Sequence, residues 1–554
     1  MERRTFAGLT VGVGLLVGVL ATLLFYGKQF GLSVPIFVGI VSALMLVLSR
    51  PAGRQLNRRN LWPLIPMMFF AVMTALRDDW MILWLNLGAI LALGALLLHY
   101  VSLPRALDTD SFVEQTGSVI QTGFLVLPYA IGEGGEAWSW LREARHSRGG
   151  QFAKAVRGLA FATPVIFVFA ILLGSADAVF ASYISKAWTS VTHLLGIQYL
   201  GETFGQLGVT LVFGTLMTGA VGYSLMRKIN LPAELTDEEG NPISAPQTDE
   251  KRKPGFKLST IESGIILGSV ALLFAVFVVI QFTYFFGGRS NITVEGLTYA
   301  QYARRGFFEL VAVSTMTLGL AMFLDRVTLR HEQREKLIFR AVAVVLVALT
   351  TVLLTSAAQR MWLYEEAYGF TQLRVYTHVA IGWLGVMFGV FVLALFRVRK
   401  NVFSLGTVLV LIGYLVSLNL MNVDYYMAER NVARYRDGQK LDFAFLNILS
   451  ADAVPVILPL YQEAEPGSQI HDWAGQWLAR EANILTDQEN SNGATIFSWN
   501  AGREQAFMQL NTSQLALPAY DASLWQGSRW SSYDAEYQDY RNAWEDGLTV
   551  TPTR

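Results

Sequence analysis

Long apolar runs separated by short polar segments recur along most of this chain. Runs of about 20 residues match the length that a helix needs to cross a hydrocarbon core about 30 Å thick. The pattern predicts an all-α fold: a polytopic transmembrane helical bundle with a small helical domain after the last span. The eleven predicted spans are 6–26, 32–49, 61–76, 80–103, 158–176, 205–226, 261–286, 307–325, 337–356, 377–396 and 402–421.

Composition supports a membrane protein and excludes several kinds of site. Of the 554 residues, 53% are hydrophobic and 16% are charged, whereas soluble proteins carry about 25% charged residues. The chain has no cysteine, which excludes disulfides, thiolate catalysis and cysteine-ligated zinc or iron–sulfur centres. Its six histidines are scattered, so we predict no metal site and no cofactor. The chain has neither a phosphate-binding fingerprint nor a basic stripe, and we therefore expect no nucleic-acid partner.

The distribution of arginine and lysine predicts the orientation of the spans, because short cytoplasmic loops are enriched in these residues. Arg3 and Arg4 precede the first span and predict a cytoplasmic N-terminus. With eleven spans the C-terminus is then outside. The loops predicted to be cytoplasmic contain the basic groups of 50–59, 142–157, 227–257, 326–336 and 397–400.

One apolar segment, residues 117–131, is shorter than a typical membrane span and contains Gln121 and Pro128. If it crossed the membrane, the basic residues of 142–157 would lie outside, so we interpret it as re-entrant or interfacial. The alternative is a twelve-span protein. The predicted organisation is an N-terminal membrane region at 1–157 with four spans and a seven-span core at 158–421. Within that core, the charged and proline-rich segment 228–258 is predicted to be a disordered cytoplasmic linker.

Residues 422–554 have a different composition from the spans. They contain nine basic against eighteen acidic residues, and six of the fourteen tryptophans. Helical spacing of Leu441, Phe445 and Leu449 predicts amphipathic helices, and Ser450 is a candidate N-cap residue. We therefore predict a small acidic α-helical domain on the extracytoplasmic side, and its charge could bind a cation or a basic partner.

Many polar residues are predicted to lie at the outer ends of the spans, above all in the stretch YEEAYGFTQLR at 364–374. The two adjacent glutamates could serve acid/base chemistry, although neighbours on a helix point about 100° apart. The alternative is an ion-pair network that holds the C-terminal domain on the bundle. The candidate cluster is Asp177, Tyr302, Arg304, Arg305, Glu309, Glu365, Glu366, Arg374, His378, Asn422, Asp424, Glu429 and Arg430.

Four segments carry a family resemblance, and they occur in order between about 158 and 465. They are LLGSADAVF, YARRGFFEL, YEEAYGFTQLR and the stretch that begins NVDYYMAERNVARYRDG. The chain resembles the bacterial polytopic membrane proteins of domain of unknown function 4173, with its relative 4153. The resemblance implies a bacterial plasma-membrane protein and carries over no catalytic residue.

Three classes of function fit these observations. The chain carries no catalytic signature, which favours a non-enzymatic sensor, regulatory or scaffold component, with the lipid bilayer and an extracytoplasmic protein or ligand as partners. A membrane enzyme acting on an extracytoplasmic or lipid-linked substrate is the second class, with Glu365, Glu366 and Asp424 in its site. A transporter is the third, since Asn86 and Gln281 are polar residues within predicted spans.

Overall fold

The computed structural model describes most of the chain, and its helices fall into two compact units. The described residues are 3–52, 56–144, 201–226, 235–236, 242–243, 257–286, 307–396, 402–490, 495–513 and 515–521. Unit 1 comprises Met1–Ile229 and Thr486–Glu504, and unit 2 comprises Asn230–Leu485 and Gln505–Arg554. The predicted span 158–176 and almost all of the predicted linker 228–258 lie outside the described residues.

Unit 1 is a helical bundle. Its helices are α1 (Arg3–Phe25), α2 (Ser33–Ser49), α3 (Leu64–Leu76), α4 (Trp80–Tyr100), α5 (Phe112–Ala144) and α6 (Gly201–Val221), the last continued by a π-helical turn at Gly222–Met226. Short 3-10 helices at Arg58–Leu61, Leu107–Thr109 and Ile496–Ser498 lie in the connections.

Small residues allow α1 and α6 to pack closely along their length. A Cβ atom added at Gly18 would lie 2.0 Å from the carbonyl oxygen of Thr210, and one added at Gly14 would lie 2.7 Å from that of Gly214. Near the other end of the contact, Thr22 Oγ1 lies 2.8 Å from Thr210 Oγ1. Close backbone approach at glycine is a common way for helices to associate in a membrane.

Residues 495–503 fold onto the loops that join α1 to α2 and α3 to α4. The buried Asn500 side chain donates from Nδ2 to the carbonyl oxygens of Thr74 at 3.1 Å and Arg77 at 2.9 Å. The backbone N–H of Leu32 donates to the Trp499 carbonyl at 3.0 Å. These contacts place the two loops at the same end of unit 1.

Unit 2 contains five long helices followed by shorter ones. The long helices are α7 (Thr260–Phe286), α8 (Phe307–Val327), α9 (Gln333–Tyr368), α10 (Gln372–Phe396) and α11 (Val402–Met421). The shorter ones are α12 (Val423–Arg436), α13 (Phe443–Leu446), a 3-10 turn at Ala451–Ala453, α14 (Val454–Glu463) and α15 (Gln469–Asn490). A last helix, α16 (Ala501–Thr512), runs from unit 1 residues into unit 2 residues.

The core of unit 2 is apolar and lies between its long helices. Phe339, Ala343 and Leu346 of α9 are fully buried, with Phe388 of α10 at 1% exposure. A two-stranded antiparallel pair, β1 (Leu235–Thr236) and β2 (Pro242–Ile243), precedes this bundle. Residues after α11 form a second, smaller packing layer around the fully buried Trp473 and Trp477.

The described part of the chain contains nine helices that are long and apolar enough to cross a membrane. They correspond to nine of the eleven predicted spans, α3 being counted together with the 3-10 turn before it, and α2, an apolar helix of 17 residues, corresponds to a tenth. The all-helical, multi-pass prediction is therefore confirmed in outline. The number eleven and the orientation of the spans stay predictions.

The apolar segment 117–131 lies within the single 33-residue helix α5. Helix α5 is not among the nine helices that qualify as spans by length and hydropathy. Its backbone is continuous through Pro128. The re-entrant or interfacial assignment of this segment stays a prediction.

Candidate functional site

The candidate residues of the stretch 364–374 lie where α9 ends and α10 begins. The turn between the two helices contains Gly369, whose φ of +82° and ψ of 179° favour glycine. We call the residues 365–374, together with their partners on α12, the outer turn cluster. All of its members belong to unit 2.

Two arginines bind the carboxyl end of α9. Arg374 Nη1 donates to the carbonyl oxygens of Tyr368 at 3.1 Å and Gly369 at 2.6 Å, and Arg434 Nη2 donates to that of Glu366 at 2.8 Å. The last carbonyl groups of a helix have no partner within it, and a cation there is favoured by the helix dipole. The two guanidinium groups therefore cap α9.

Arg374 is also enclosed by aromatic rings. Its guanidinium carbon lies 4.1 Å from the ring centroid of Tyr364 and 5.7 Å from that of Phe445. The residue is 9% exposed. The Arg374 side chain is therefore held by ring contacts as well as by hydrogen bonds. This arrangement suits a residue that stabilises the fold better than one that binds a ligand.

Asn431 of α12 pairs with the backbone of the turn. Its Oδ1 accepts from the Phe370 N–H at 2.9 Å and its Nδ2 donates to the Phe370 carbonyl at 2.9 Å. The side-chain amide thus reproduces the two bonds that a neighbouring strand would give. Asn431 was not among the sequence candidates, because an asparagine on a helix carries no signal of such pairing.

Asp424 joins three segments of the chain. It accepts from Gln372 Nε2 at 3.0 Å and from the Ser450 backbone N–H at 2.9 Å. Burial raises the pKa of this carboxyl above its usual range, and the two hydrogen bonds oppose the rise only in part. Ser450 does precede a helical turn, as predicted, but its side chain makes no capping bond there; Asp424 instead accepts from the backbone N–H of Ser450 itself.

A second buried carboxyl lies near Asp424. Glu481 of α15 is 6% exposed and pairs with the Arg480 guanidinium at 2.8 Å. Burial raises the pKa of Glu481, and the charge of Asp424 raises it further. Burial likewise lowers the pKa of Arg434, and the positive charge of the nearby Arg374 lowers it further.

The adjacent glutamates point to different surroundings, as their 100° separation on a helix requires. Glu365 is buried and its Oε2 lies 2.9 Å from His378 Nδ1, whereas Glu366 is exposed. The His378 side chain is 38% exposed. The structure therefore brings Glu365 and His378 together and does not place the two glutamates on one substrate.

The other candidates lie apart from this pairing. Glu429 and Arg430 are exposed on α12, Arg430 over the Tyr426 ring, and Glu309 is exposed near the start of α8. Asn422 has a φ of +53° at the junction of α11 and α12. Asp177, Tyr302, Arg304 and Arg305 lie outside the described residues.

An open pocket and the candidate residues do not coincide. A pocket of about 190 Å³ is lined by Tyr435, Gly438, Gln439, Lys440, Leu441, Phe443, Gln469 and Ile470. Across the described ranges, no three His, Asp or Glu side chains are grouped so that they could hold a metal ion. The outer turn cluster is thus a packed polar network rather than a cavity.

Comparison with known families shows where the chain belongs. The model of the family described as "Domain of unknown function (DUF4153)" matches residues 64–460. The chain belongs to this family. The match is to the family named in the sequence resemblance as the relative, and it begins at residue 64 rather than near 158.

The match includes helices α3 to α5, which the sequence resemblance did not cover. It ends at residue 460, within α14. No curated protein and no solved structure matches the chain significantly. The family description states no activity, so the geometry has to carry the functional argument.

Proposed function

We propose that this chain is a non-enzymatic regulatory or scaffold component of the bacterial plasma membrane. In this proposal the helices after α11 are clamped to the outer ends of α9 and α10. The observation that carries the proposal is that the polar side chains around the turn bond to other groups of the same chain. Arg374 and Arg434 cap α9, Asn431 pairs with Phe370, and Asp424 holds Ser450.

Contacts of this kind would couple a movement of α12 to a movement of the end of α9. A partner that shifts α12 would move the end of α9 through Arg434 and Asn431, because both side chains bond to the turn backbone. A catalytic site would instead need polar groups that face a space where substrate can enter. The pocket near Lys440 contains none of the candidate residues.

Complementation in a deletion strain tests this proposal. The substitutions Glu366→Gln and Glu429→Gln remove exposed carboxylates, and we expect both variants to restore any deletion phenotype fully. Membrane abundance is measured in parallel with an epitope tag. Loss of complementation at normal abundance would overturn the non-enzymatic reading.

One observation favours an enzyme as the second candidate. A buried carboxylate hydrogen-bonded to a half-exposed imidazole, as in Glu365 and His378, is the arrangement that orients a general base. His378→Gln keeps a polar side chain but cannot act as a base. If this variant is stable and abundant yet inactive in complementation, the enzyme reading replaces the regulatory one.

The proposed orientation places the arginine-rich end of unit 1 in the cytoplasm. Asn60 Nδ2 donates to the Tyr100 carbonyl at 2.7 Å, and Asn57 Nδ2 donates to the Leu103 carbonyl at 3.3 Å. These bonds bring the loop before α3 beside the segment after α4, so Arg58, Arg59 and Arg105 share one end. A membrane-impermeant maleimide should label Asp108→Cys only after cells are opened, and the absence of native cysteine makes the result clean.

A further inference from the structure

Helix α5 has a face of buried polar residues and an opposite face of exposed apolar ones. Gln115 and Thr122 are each 2% exposed and Glu133 is 2% exposed. The opposite face carries a stripe at helical spacing that we call the apolar stripe: Val113, Ile120, Phe124, Leu127 and Ile131, exposed by 63%, 55%, 78%, 40% and 49%. A helix beside water has the reverse arrangement.

The neighbouring spans also expose apolar side chains on their outer surfaces. Leu16 of α1 is 69% exposed and Leu91 of α4 is 74% exposed, as expected of side chains that face lipid. The apolar stripe of α5 therefore belongs to the same kind of surface. A Phe124 that is 78% exposed to water would be costly by comparison.

The contacts of α5 with α4 fall near the end of α4. Thr122 Oγ1 donates to the Ala95 carbonyl at 3.4 Å, and Tyr100 Oη lies 3.2 Å from Ser118 Oγ. Gln115 Nε2 donates to the Leu107 carbonyl at 2.9 Å, beyond the end of that helix. The first half of α5 is thus held at the last turns of α4.

The contacts of α5 with α6 also fall near a helix end. A Cβ atom at Gly219 would lie 2.0 Å from the Val126 carbonyl oxygen, and one at Gly222 would lie 2.8 Å from Glu133 Cγ. Val126 and Glu133 are seven steps apart, about 10 Å along the helix axis, whereas Gly219 and Gly222 are three steps apart and cover less than half of that. These two contacts place α5 against the last turn of α6 and the π-helical turn that follows it.

The contacted ends of α4 and α6 are the same end of unit 1. His99 Nδ1 lies 2.7 Å from Tyr223 Oη, and Ser102 Oγ donates to the Ser224 carbonyl at 2.6 Å. Helix α5 therefore packs against α4 and α6 at this end of unit 1. Arg58 and Arg59 are exposed at this end, and Arg105 is exposed but pairs with the buried Asp110 carboxylate at 2.7 Å.

We propose that α5 is an in-plane helix that binds the lipid surface at the arginine-bearing end of unit 1. Its apolar stripe lies among the acyl chains, and the exposed arginines bind the phosphate groups of anionic phospholipid. Amphipathic helices of this kind sit about 5–10 Å deep at the boundary between headgroups and acyl chains. Anionic headgroups at the cytoplasmic surface attract such basic side chains.

Spin labels at single cysteines measure the depth of α5 directly, because the native chain has no cysteine. Val113→Cys, Ile120→Cys, Phe124→Cys and Ile131→Cys are labelled in vesicles made of equal parts phosphatidylcholine and phosphatidylglycerol. Leu91→Cys serves as the deep reference and Asp108→Cys as the aqueous one. The collision rates of each label with oxygen and with a water-soluble nickel chelate give its depth.

An in-plane helix predicts one shallow depth for all four labels, with oxygen collisions exceeding nickel collisions at each. A helix that crosses the membrane predicts instead a steady gradient from residue 113 to residue 131 of about 27 Å, at 1.5 Å per residue. High nickel accessibility would show a water-exposed face, and low accessibility to both reagents would show a face covered by protein. Each of these three results would overturn the proposal.

The headgroup part of the proposal has its own test. The thermal unfolding midpoint of the wild-type chain is compared in phosphatidylcholine vesicles and in the equal mixture with phosphatidylglycerol. We expect a higher midpoint in the mixture. The difference between the two lipids should be smaller in the Arg58→Gln/Arg59→Gln double variant. It should also be smaller at high salt, because salt screens exposed charges. Equal midpoints in the two lipids would overturn the anionic preference.

Discussion

The carboxylate of Asp424 lies 2.9 Å from the backbone nitrogen of Ser450, so that a residue of α12 binds the residue that precedes a helical turn, twenty-six positions further along the chain. The same carboxylate accepts from Gln372 at the start of α10. One buried side chain thus ties the first turn of α10, the first turn of α12 and the residue before the 3-10 turn that leads into α14. This tie gives unit 2 a pH dependence that can be measured.

Asp424 should make unit 2 less stable as the pH rises. Its pKa is higher in the folded chain than in the unfolded one because of burial, and the same holds for Glu481. A group with a raised folded pKa stabilises the fold most fully below its unfolded pKa, and this contribution is lost as the pH rises through the folded pKa. The loss therefore begins above about pH 4.

Asp424→Asn should remove much of this pH dependence. An asparagine can still accept from Ser450, and it can donate to Gln372 once that amide is turned over. We expect the thermal unfolding midpoint of the purified variant to fall less between pH 5 and pH 8 than that of the wild type. Asp437→Asn, at the end of α12, is the control. Equal pH slopes for Asp424→Asn and wild type would contradict the prediction.

Arg374→Lys should destabilise unit 2 although it preserves the charge. Lysine lacks the planar fork that bonds the Tyr368 and Gly369 carbonyls and stacks on Tyr364. Loss of a buried bond of this kind costs about 1–3 kcal/mol, which should lower the apparent unfolding midpoint in detergent. Arg430→Lys, on the exposed face of α12, should change the midpoint little. Similar midpoints for the two variants would show that Arg374 does not cap α9.

The span pattern could be predicted from the sequence because a bilayer imposes a length and a polarity on each crossing. Ten of the eleven predicted spans coincide with described helices for that reason. The ends of those helices were harder to place. Helix α9 runs on to Tyr368, twelve residues past its predicted end at 356, because its last turns pack against protein and its carbonyls are capped by Arg374 and Arg434.

Of the residues in the candidate site, only charged ones could be predicted from the sequence. Arg374, Glu365 and Asp424 attract notice as charges near a membrane, and they do occur in one network or beside it. Their neutral partners Gln372 and Asn431 carry no such mark in a sequence. Their roles depend on which backbone groups the fold leaves without a partner, and local spacing does not reveal that.

Gly369→Ala should cost more than an ordinary glycine substitution. The φ of +82° and ψ of 179° belong to a region that only glycine enters readily, and an added Cβ would lie 2.7 Å from Asn431 Oδ1 and 2.8 Å from Arg434 Nη1. We expect a loss of about 1–3 kcal/mol from the strain alone, and a further loss as Asn431 moves off Phe370. Chemical unfolding followed by tryptophan fluorescence measures it.

Gly438→Ala is the matched control for this effect. Gly438 also has a positive φ, +86°, but nothing lies within 4 Å of an added Cβ. It should therefore show backbone strain without the steric clash. If the two alanine variants lose equal stability, the contact of the turn with α12 contributes nothing to the cost at Gly369.

Asn500→Ala should loosen the end of unit 1 where the loops after α1 and α3 meet. The Asn500 side chain is 3% exposed; it donates to Thr74 and Arg77 and accepts from the Arg503 N–H at 3.1 Å. Alanine leaves the buried Thr74 carbonyl and the partly buried Arg77 carbonyl without this donor, at a cost of about 1–3 kcal/mol. Because Arg77 lies at the end of α3, the loop 77–79 should become more accessible to protease and exchange its amide hydrogens faster. Asn511→Ala, which changes an exposed asparagine of α16, should leave both readouts at wild-type values. Unchanged protection of residues 74–79 in Asn500→Ala would mean that the segment 495–503 rests on unit 1 without stabilising it.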